Sequence, residues 1–263
     1  MSLRLAGASV TYPGCTEPAV QQVDLTFEPG THTAILGPNG AGKSTILRAL
    51  GGLMPCDPGE AVLDGRDARS WSRREFARRV AFVSSAEESA FPVRVRDYVA
   101  LGRNPYIDGW RGPSGADREA VGVALARADL DSLEARYLGS LSAGELQRAR
   151  IARALAQDPD IMLLDEPTAH LDLGHEFAAF ALLAQLVAQL SLTVISVTHN
   201  LNMASRFCGR IVLMADGTIL ADGLPGEVLT PDNLARAFDW PVDTMIRPGL
   251  GIVAVAVSPG TET

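Results

Sequence analysis

The chain has 263 residues, 47% of them hydrophobic and 21% charged, with a net charge of −8. That length is enough to bury most of the unfolded surface in one compact unit, and the acidic balance argues against a nucleic-acid partner, which calls for a basic surface. Cys15, Cys56 and Cys208 are scattered, odd in number and without metal-ligand spacing, so they read as reduced thiols of a cytosolic protein, and no apolar core of signal-peptide length opens the chain.

Residues 3–10 and 19–27 read as strands around a turn at Tyr12-Pro13-Gly14. Residues 31–36 form a buried strand that runs into a glycine loop, and a helix follows from about Gly42 to Ala49, stopped by Gly51-Gly52 and Pro55. A short strand at 60–64, a basic helix at 72–79 and a strand at 80–83 come next. Residues 86–156 change character: Arg and Ala are frequent, a Gly/Pro-rich break spans 102–115, and no long strand is evident, so this reads as an inserted helical lobe. Alternation then resumes with a strand at 161–165, a helix at 174–190, a strand at 193–198, a helix at 200–207, a strand at 210–214 and a turn at Asp216-Gly217. The tail from about 224 to 263 reads as short helices and a final apolar strand near 250–257. Strands alternating with helices predict an α/β fold with a mostly parallel sheet covered on both faces, in a single domain over 1–263.

One segment imitates a membrane span. Phe177 to Val197 carries no charge for 21 residues. Gln185, Gln189, Ser191 and Thr193 interrupt it, and helical spacing up to Leu190 gives way to the β-branched run Thr193-Val194-Ile195-Ser196-Val197, so a helix followed by a buried strand is expected.

Gly37, Pro38, Asn39, Gly40, Ala41, Gly42, Lys43, Ser44 and Thr45 make a phosphate loop. The glycines let backbone N–H groups turn toward a phosphate, and the following helix adds its positive end. In this pattern Lys43 reaches the β- and γ-phosphates and Ser44 ligates Mg²⁺ bound with ATP. Leu163-Leu164-Asp165-Glu166 ends an apolar strand in two carboxylates: Asp165 is expected to hold the metal, through water, and Glu166 to polarise the attacking water. Ser142, Ala143, Gly144 and Glu145 open a further helix, with Ser142 as N-cap and Glu145 completing a capping box.

Leu141 to Glu145, followed by Gln147 to Leu155, resembles the signature motif of ABC-type ATPases, whose usual form has Gly where Ala143 stands. The resemblance covers nearly the whole chain. Asp165-Glu166-Pro167-Thr168 and Ala169-His170-Leu171-Asp172 are similar to that family's metal strand and D-loop, the latter carrying Asp172. Val197-Thr198-His199 is similar to its switch histidine, and Tyr12, 25 residues before Gly37, to the aromatic that stacks on adenine. The resemblance implies a P-loop NTPase (RecA-like) core, an N-terminal antiparallel β subdomain and an inserted helical subdomain. It also implies a head-to-tail homodimer on ATP binding, in which Ser142, Ala143, Gly144 and Glu145 of one copy meet the γ-phosphate held by Lys43 of the other.

Finer resemblance, in residues 77–83 and 99–106, His170 to His175, Asn200 to Ala204 and Gly226 to Thr230, points to the ATPase subunits of bacterial importers for iron-siderophore, haem and cobalamin. It implies transmembrane permease subunits as partners, an extracytoplasmic substrate-binding protein beyond them, and a place on the cytoplasmic face of the membrane. The surface expected to grip the permease is the helical lobe and the loop from Ser85 to Pro92.

Two departures stand out. The family's glutamine after the strand at 80–83 is replaced by Ser85, and no Gln occurs from 80 to 96. Three readings are open: Ser85 acts through an extra water, Glu87 or Glu88 takes the place, or coupling to the permease is weakened. A carboxylate would repel the γ-phosphate, which favours the water. Asn200 stands where the family often has Asp, and losing that one charge is expected to be mild. A soluble ABC ATPase with a non-transport role is the alternative to an importer. A P-loop kinase or GTP switch would lack residues 141–145. Loose stacking on Tyr12 leaves GTP open as well as ATP.

Overall fold

A computed structural model describes residues 2–84, 92–107, 109, 112–169, 171–247 and 251–256, so Ser85, Glu87, Glu88 and His170 lie outside the described residues. The chain opens with β1 (Leu3–Val10), β2 (Val20–Phe27), β3 (His32–Leu36) and α1 (Lys43–Leu50), then β4 (Glu60–Leu63), β5 (Arg66–Asp67), α2 (Arg73–Ala77) and β6 (Val80–Ser84). Three helices precede the next strand: α3 (Val95–Ala100), α4 (Gly115–Arg127) and α5 (Ala143–Ala156). β7 (Ile161–Asp165), α6 (Leu173–Leu190), β8 (Thr193–Val197), α7 (Leu201–Phe207), β9 (Arg210–Ala215) and β10 (Thr218–Gly223) follow. The chain closes on α8 (Pro225–Val228), α9 (Pro231–Phe238), β11 (Val242–Arg247) and β12 (Gly251–Ala256).

Among the described residues the strands form three sheets. An antiparallel one runs β2-β1-β4-β5, a larger one runs β10-β9-β3-β8-β7-β6, and β11 pairs only with β12. In the larger sheet β9, β3, β8, β7 and β6 are parallel and β10 is an antiparallel edge. The parallel strands β3, β7 and β8 are buried at every position: most of their residues are apolar or β-branched, and His32, Ser196 and Asp165 are polar residues buried among them.

Alternation of side chains in β3 divides the core. Ile35 packs with Ile46, Leu47 and Leu50 of α1 and with Leu3, Leu5 and Phe27 of the antiparallel sheet, so α1 lies between the two sheets. Ala34 and Leu36 face the other way, toward Phe180, Ala204 and Leu234. A third cluster joins Val95, Val99 and Leu125 of the helical lobe to Val83, Met162 and Leu164 of the sheet. The lobe therefore shares a core with the sheet. Within the lobe, buried Arg103 donates to Asp117 Oδ1 at 2.9 Å and to the Ala156 carbonyl at 2.8 Å, tying α4 to the end of α5. The Ser114 bonds, then Arg103, hold the Asp117 carboxyl down to about 2.

The uncharged stretch resolves into α6 and β8, joined by Ser191 and Leu192. α6 is long and apolar enough to cross a membrane, yet Ala179, Phe180, Leu183 and Leu186 are buried against the protein's own core.

Three strands escaped sequence reasoning, the first being β5, whose two residues are too few to show a pattern. β10 is short, ends Asp222-Gly223 and carries a register shift between Ile219 and Ala221, so no period-2 pattern marks it. β11 is largely exposed, and its Val-Asp-Thr-Met-Ile-Arg lacks an apolar face of its own.

Candidate active site

The carboxyl ends of β3, β8 and β7 lie level: Ile35 is in register with Val197, and Val197 with Asp165. Open α/β sheets bind ligands at this edge. Gly37 leaves β3 at φ 148°, and a Cβ there would stand 2.2 Å from the Met214 carbonyl oxygen. Gly42, the N-cap of α1, has φ 92° and no room for a Cβ against the Ala19 carbonyl. Asn39 and Gly40 are exposed at the tip. α1 has no side-chain cap and no acidic residue in its first turn, so its N-terminal N–H groups and positive end face the loop.

Lys43 is buried and donates to the carbonyls of Gly37 at 2.9 Å and Pro38 at 2.7 Å. Burial pulls its ammonium below the ordinary value, opposed by the charges of Glu166 and Asp165. Ser44 Oγ donates to Asp165 Oδ1 at 2.6 Å, so the two expected metal ligands meet although one lies on α1 and the other at the end of β7. Arg48 Nη2 lies 3.9 Å from Asp165 Oδ2. Two hard oxygen donors beside a phosphate loop suit Mg²⁺, which keeps most of its waters and takes one or two protein ligands plus phosphate. No cluster of three or more His, Cys, Asp or Glu suited to a metal occurs among the described residues.

Glu166 follows Asp165 at φ 50°, in the left-handed region, with its N–H bonded to the Val197 carbonyl at 3.2 Å. Its Oε1 accepts from His199 Nε2 at 2.6 Å, which makes Nε2 the protonated nitrogen. The two residues expected to be catalytic thus form one pair at the ends of adjacent strands. Both line a cavity of about 440 Å³ with Thr168, Glu176 and Asn200.

Ser142 caps α5 as expected: its Oγ accepts from Glu145 N at 3.2 Å, and Glu145 Oε2 accepts from Ser142 N at 2.7 Å. The bond from the Ser142 backbone N–H first, and one from the Ser142 side chain second, hold the Glu145 carboxyl below its ordinary range. Ser142 and Ala143 are exposed and Gly144 is buried. Among the described residues, no hydrogen bond joins 142–145 to the phosphate loop of the same chain.

Residues 20–169 match the model of the ABC transporter family. The chain belongs to that family. It is one of the family's ATPases, and ABC ATPases bind ATP and ADP. The hemin import ATP-binding protein of Nocardia farcinica is 39% identical over 95% of this chain and 87% of its own length. The cobalamin import ATP-binding protein of Halobacterium salinarum is 36% identical over 98% of this chain, which spans 64% of that relative. Among solved structures, a metal-chelate type ABC transporter in an inward-facing conformation matches at TM-score 0.85, with 27% identity and 98% of both chains covered. An ATP-binding cassette solved as a dimer after hydrolysis, bound to ADP and Pi, matches at TM-score 0.71, with 31% identity over 85% of this chain and 98% of that one.

In this ABC ATPase, Tyr12 lies alongside α1: its hydroxyl is 3.1 Å from Thr45 Oγ1 and accepts from Arg48 Nη1 at 3.0 Å. Ser84, at the end of β6, is in register with Asp165. Sequence reasoning missed three features. Asp172 is the N-cap of α6, accepting from His175 N at 2.9 Å and from His175 Nδ1 at 2.8 Å. The backbone bond first and the ring bond second hold its carboxyl below the usual range. The His175 ring lies against Gly144, where a Cβ would come within 2.1 Å of Cδ2, so the tip of α5 and the start of α6 touch. Glu176 bonds both Thr168 and Asn200. The Asp-x-x-His spacing at 172–175 is the one sequence signal that marks the cap.

Proposed function

We propose that this chain is the ATP-hydrolysing subunit of an importer for a metal chelate (ferric siderophore, haem or cobalamin) and energises a separate permease from the cytoplasmic face of the membrane. The curated relatives named for hemin and cobalamin import, and the likeness to a metal-chelate transporter, support the cargo class. The observation that carries the chemistry is the Glu166–His199 pair, set beside Ser44 and Asp165 at one sheet edge.

In this reading the backbone of Gly37 to Thr45 and the Lys43 ammonium cradle the phosphates, with Tyr12 against the base. Ser44 and Asp165 hold Mg²⁺, which would neutralise phosphate charge. With ATP bound, His199 Nε2–H turns from Glu166 to donate to the γ-phosphate, which frees the Glu166 carboxylate to accept a proton from the attacking water. Ser142, Ala143, Gly144 and Glu145, exposed or near the tip of α5 and unbonded to their own phosphate loop, complete the site of a second copy, with Asp172 between them. The permease surface is the helical lobe and the loop from Ser85. A cleft of about 750 Å³ between the lobe and the sheet, lined by Leu53, Trp71, Phe76, Phe82 and Leu101, supports that placement. An extracytoplasmic binding protein would deliver the cargo.

Two measurements test this. Steady-state ATPase well above a Glu166→Gln control is expected, and equal rates would defeat the hydrolytic assignment. Co-purification with permease subunits, and loss of chelate uptake on deletion of the gene, are expected. Normal uptake of all three cargo types would defeat the importer assignment and favour a non-transport role.

A further inference from the structure

Among the described residues, Glu176, in the first turn of α6, makes no hydrogen bond to Glu166 or His199, yet both of its oxygens are engaged. Oε1 accepts from Thr168 Oγ1 at 3.0 Å, and Oε2 accepts from Asn200 Nδ2 at 2.8 Å. Thr168 is buried two residues after Glu166, and Asn200 is the residue after His199. The carboxylate therefore clasps the two segments that carry the catalytic pair, beside the cavity they line.

The donor pattern fixes the chemistry of the clasp. Asn200 Oδ1 accepts from Met203 N at 3.0 Å to cap α7, so its amide must present Nδ2 to Glu176. An Asp at 200 could still cap α7, but it would have no donor for Glu176, and two carboxylates would face each other at 2.8 Å.

We infer that Glu176 is a positioning residue for hydrolysis: it sets the spacing of Glu166 and His199 by holding Thr168 and Asn200 together. The inference rests on the assignment of Glu166 and His199 as the hydrolytic pair. It predicts that Asp at 200 harms this protein, and that reversing the donor and acceptor repairs it. In Asn200→Asp with Glu176→Gln, the glutamine Nε2 donates to the aspartate, and its Oε1 still accepts from Thr168.

The test is the kcat and KM for ATP of the full chain and of N200D, E176A and the double variant E176Q/N200D. N200D and E176A are expected to lower kcat about tenfold with KM within about twofold of the parent, and the double variant to return kcat to within about threefold. A purely structural role would not give this split or this rescue. N200D at parental kcat overturns the inference, as does a loss the double variant fails to recover, or a change in KM alone. If N200D does not fold, E176A and the double variant decide by the same criteria. A parent chain no faster than E166Q removes the underlying assignment instead, so the two failures are separable.

Discussion

Ser44 on α1 and Asp165 at the end of β7 are 121 positions apart in sequence and share a hydrogen bond of 2.6 Å. The contact crosses β8, which separates β7 from β3, and it brings together the two oxygens proposed to face the metal. Asp165→Asn keeps the shape and removes the charge. Loss of one charge-assisted contact is worth about 1.5–3 kcal/mol, or roughly ten- to a hundredfold. Affinity for Mg-ATP should fall by that factor while affinity for ATP in EDTA changes little. Fluorescent-nucleotide titrations with and without Mg²⁺ check this.

Glu166→Gln removes the proposed base but leaves an amide oxygen that still accepts from His199. A positioned general base contributes about 10²–10⁴-fold, so the hydrolysis rate should drop on the order of a thousandfold with ATP binding retained. Single-turnover hydrolysis alongside equilibrium binding gives the comparison.

Gly144→Ala puts a Cβ 2.1 Å from His175 Cδ2 and 2.7 Å from its Cγ. The ring is held by Asp172 at 2.8 Å, so either that bond breaks or the tip of α5 shifts. ATPase activity should fall at least about tenfold while nucleotide binding to the isolated protomer persists. Adding His175→Ala should recover part of the loss, and an unchanged rate in Gly144→Ala would contradict the packing argument.

His32 supplies the pH dependence. It is buried, with Nε2 2.9 Å from Ser196 Oγ, and burial pushes its pKa down to about 4. Folded His32 stays neutral where the unfolded imidazole takes up a proton, so the unfolded state binds more protons between pH 6.5 and 4. The contribution is complete above pH 6.5 and is lost as pH falls through that window, by about 2 kcal/mol at pH 5. Asp117, held to about 2, stays charged in this range. Unfolding midpoints at pH 7.5 and 5 should differ less in His32→Gln than in the parent.

The phosphate loop and metal strand were legible in sequence because backbone geometry restricts the residues that can serve there. Gly37 and Gly42 stand where a Cβ would strike a carbonyl, and Asp165-Glu166 ends a strand buried at every position. The cap on α5 was legible for the same local reason, since Ser142 and Glu145 satisfy each other within one turn. Long-range partners left no such trace. Asn200 read as a lost charge because nothing local shows that α6 brings Glu176 to within 2.8 Å. The contact of His175 with Gly144 likewise depends on how α5 and α6 pack. β10 and β11 were missed because an edge hairpin and an exposed ribbon need no apolar alternation.

Sedimentation velocity of Glu166→Gln, with and without Mg-ATP, tests the central claim most directly. Two copies joined through Ser142–Glu145 of one and the phosphate loop of the other should sediment as a dimer with nucleotide and as a monomer without it. A monomer under both conditions, at ATP concentrations that saturate binding, would contradict the account.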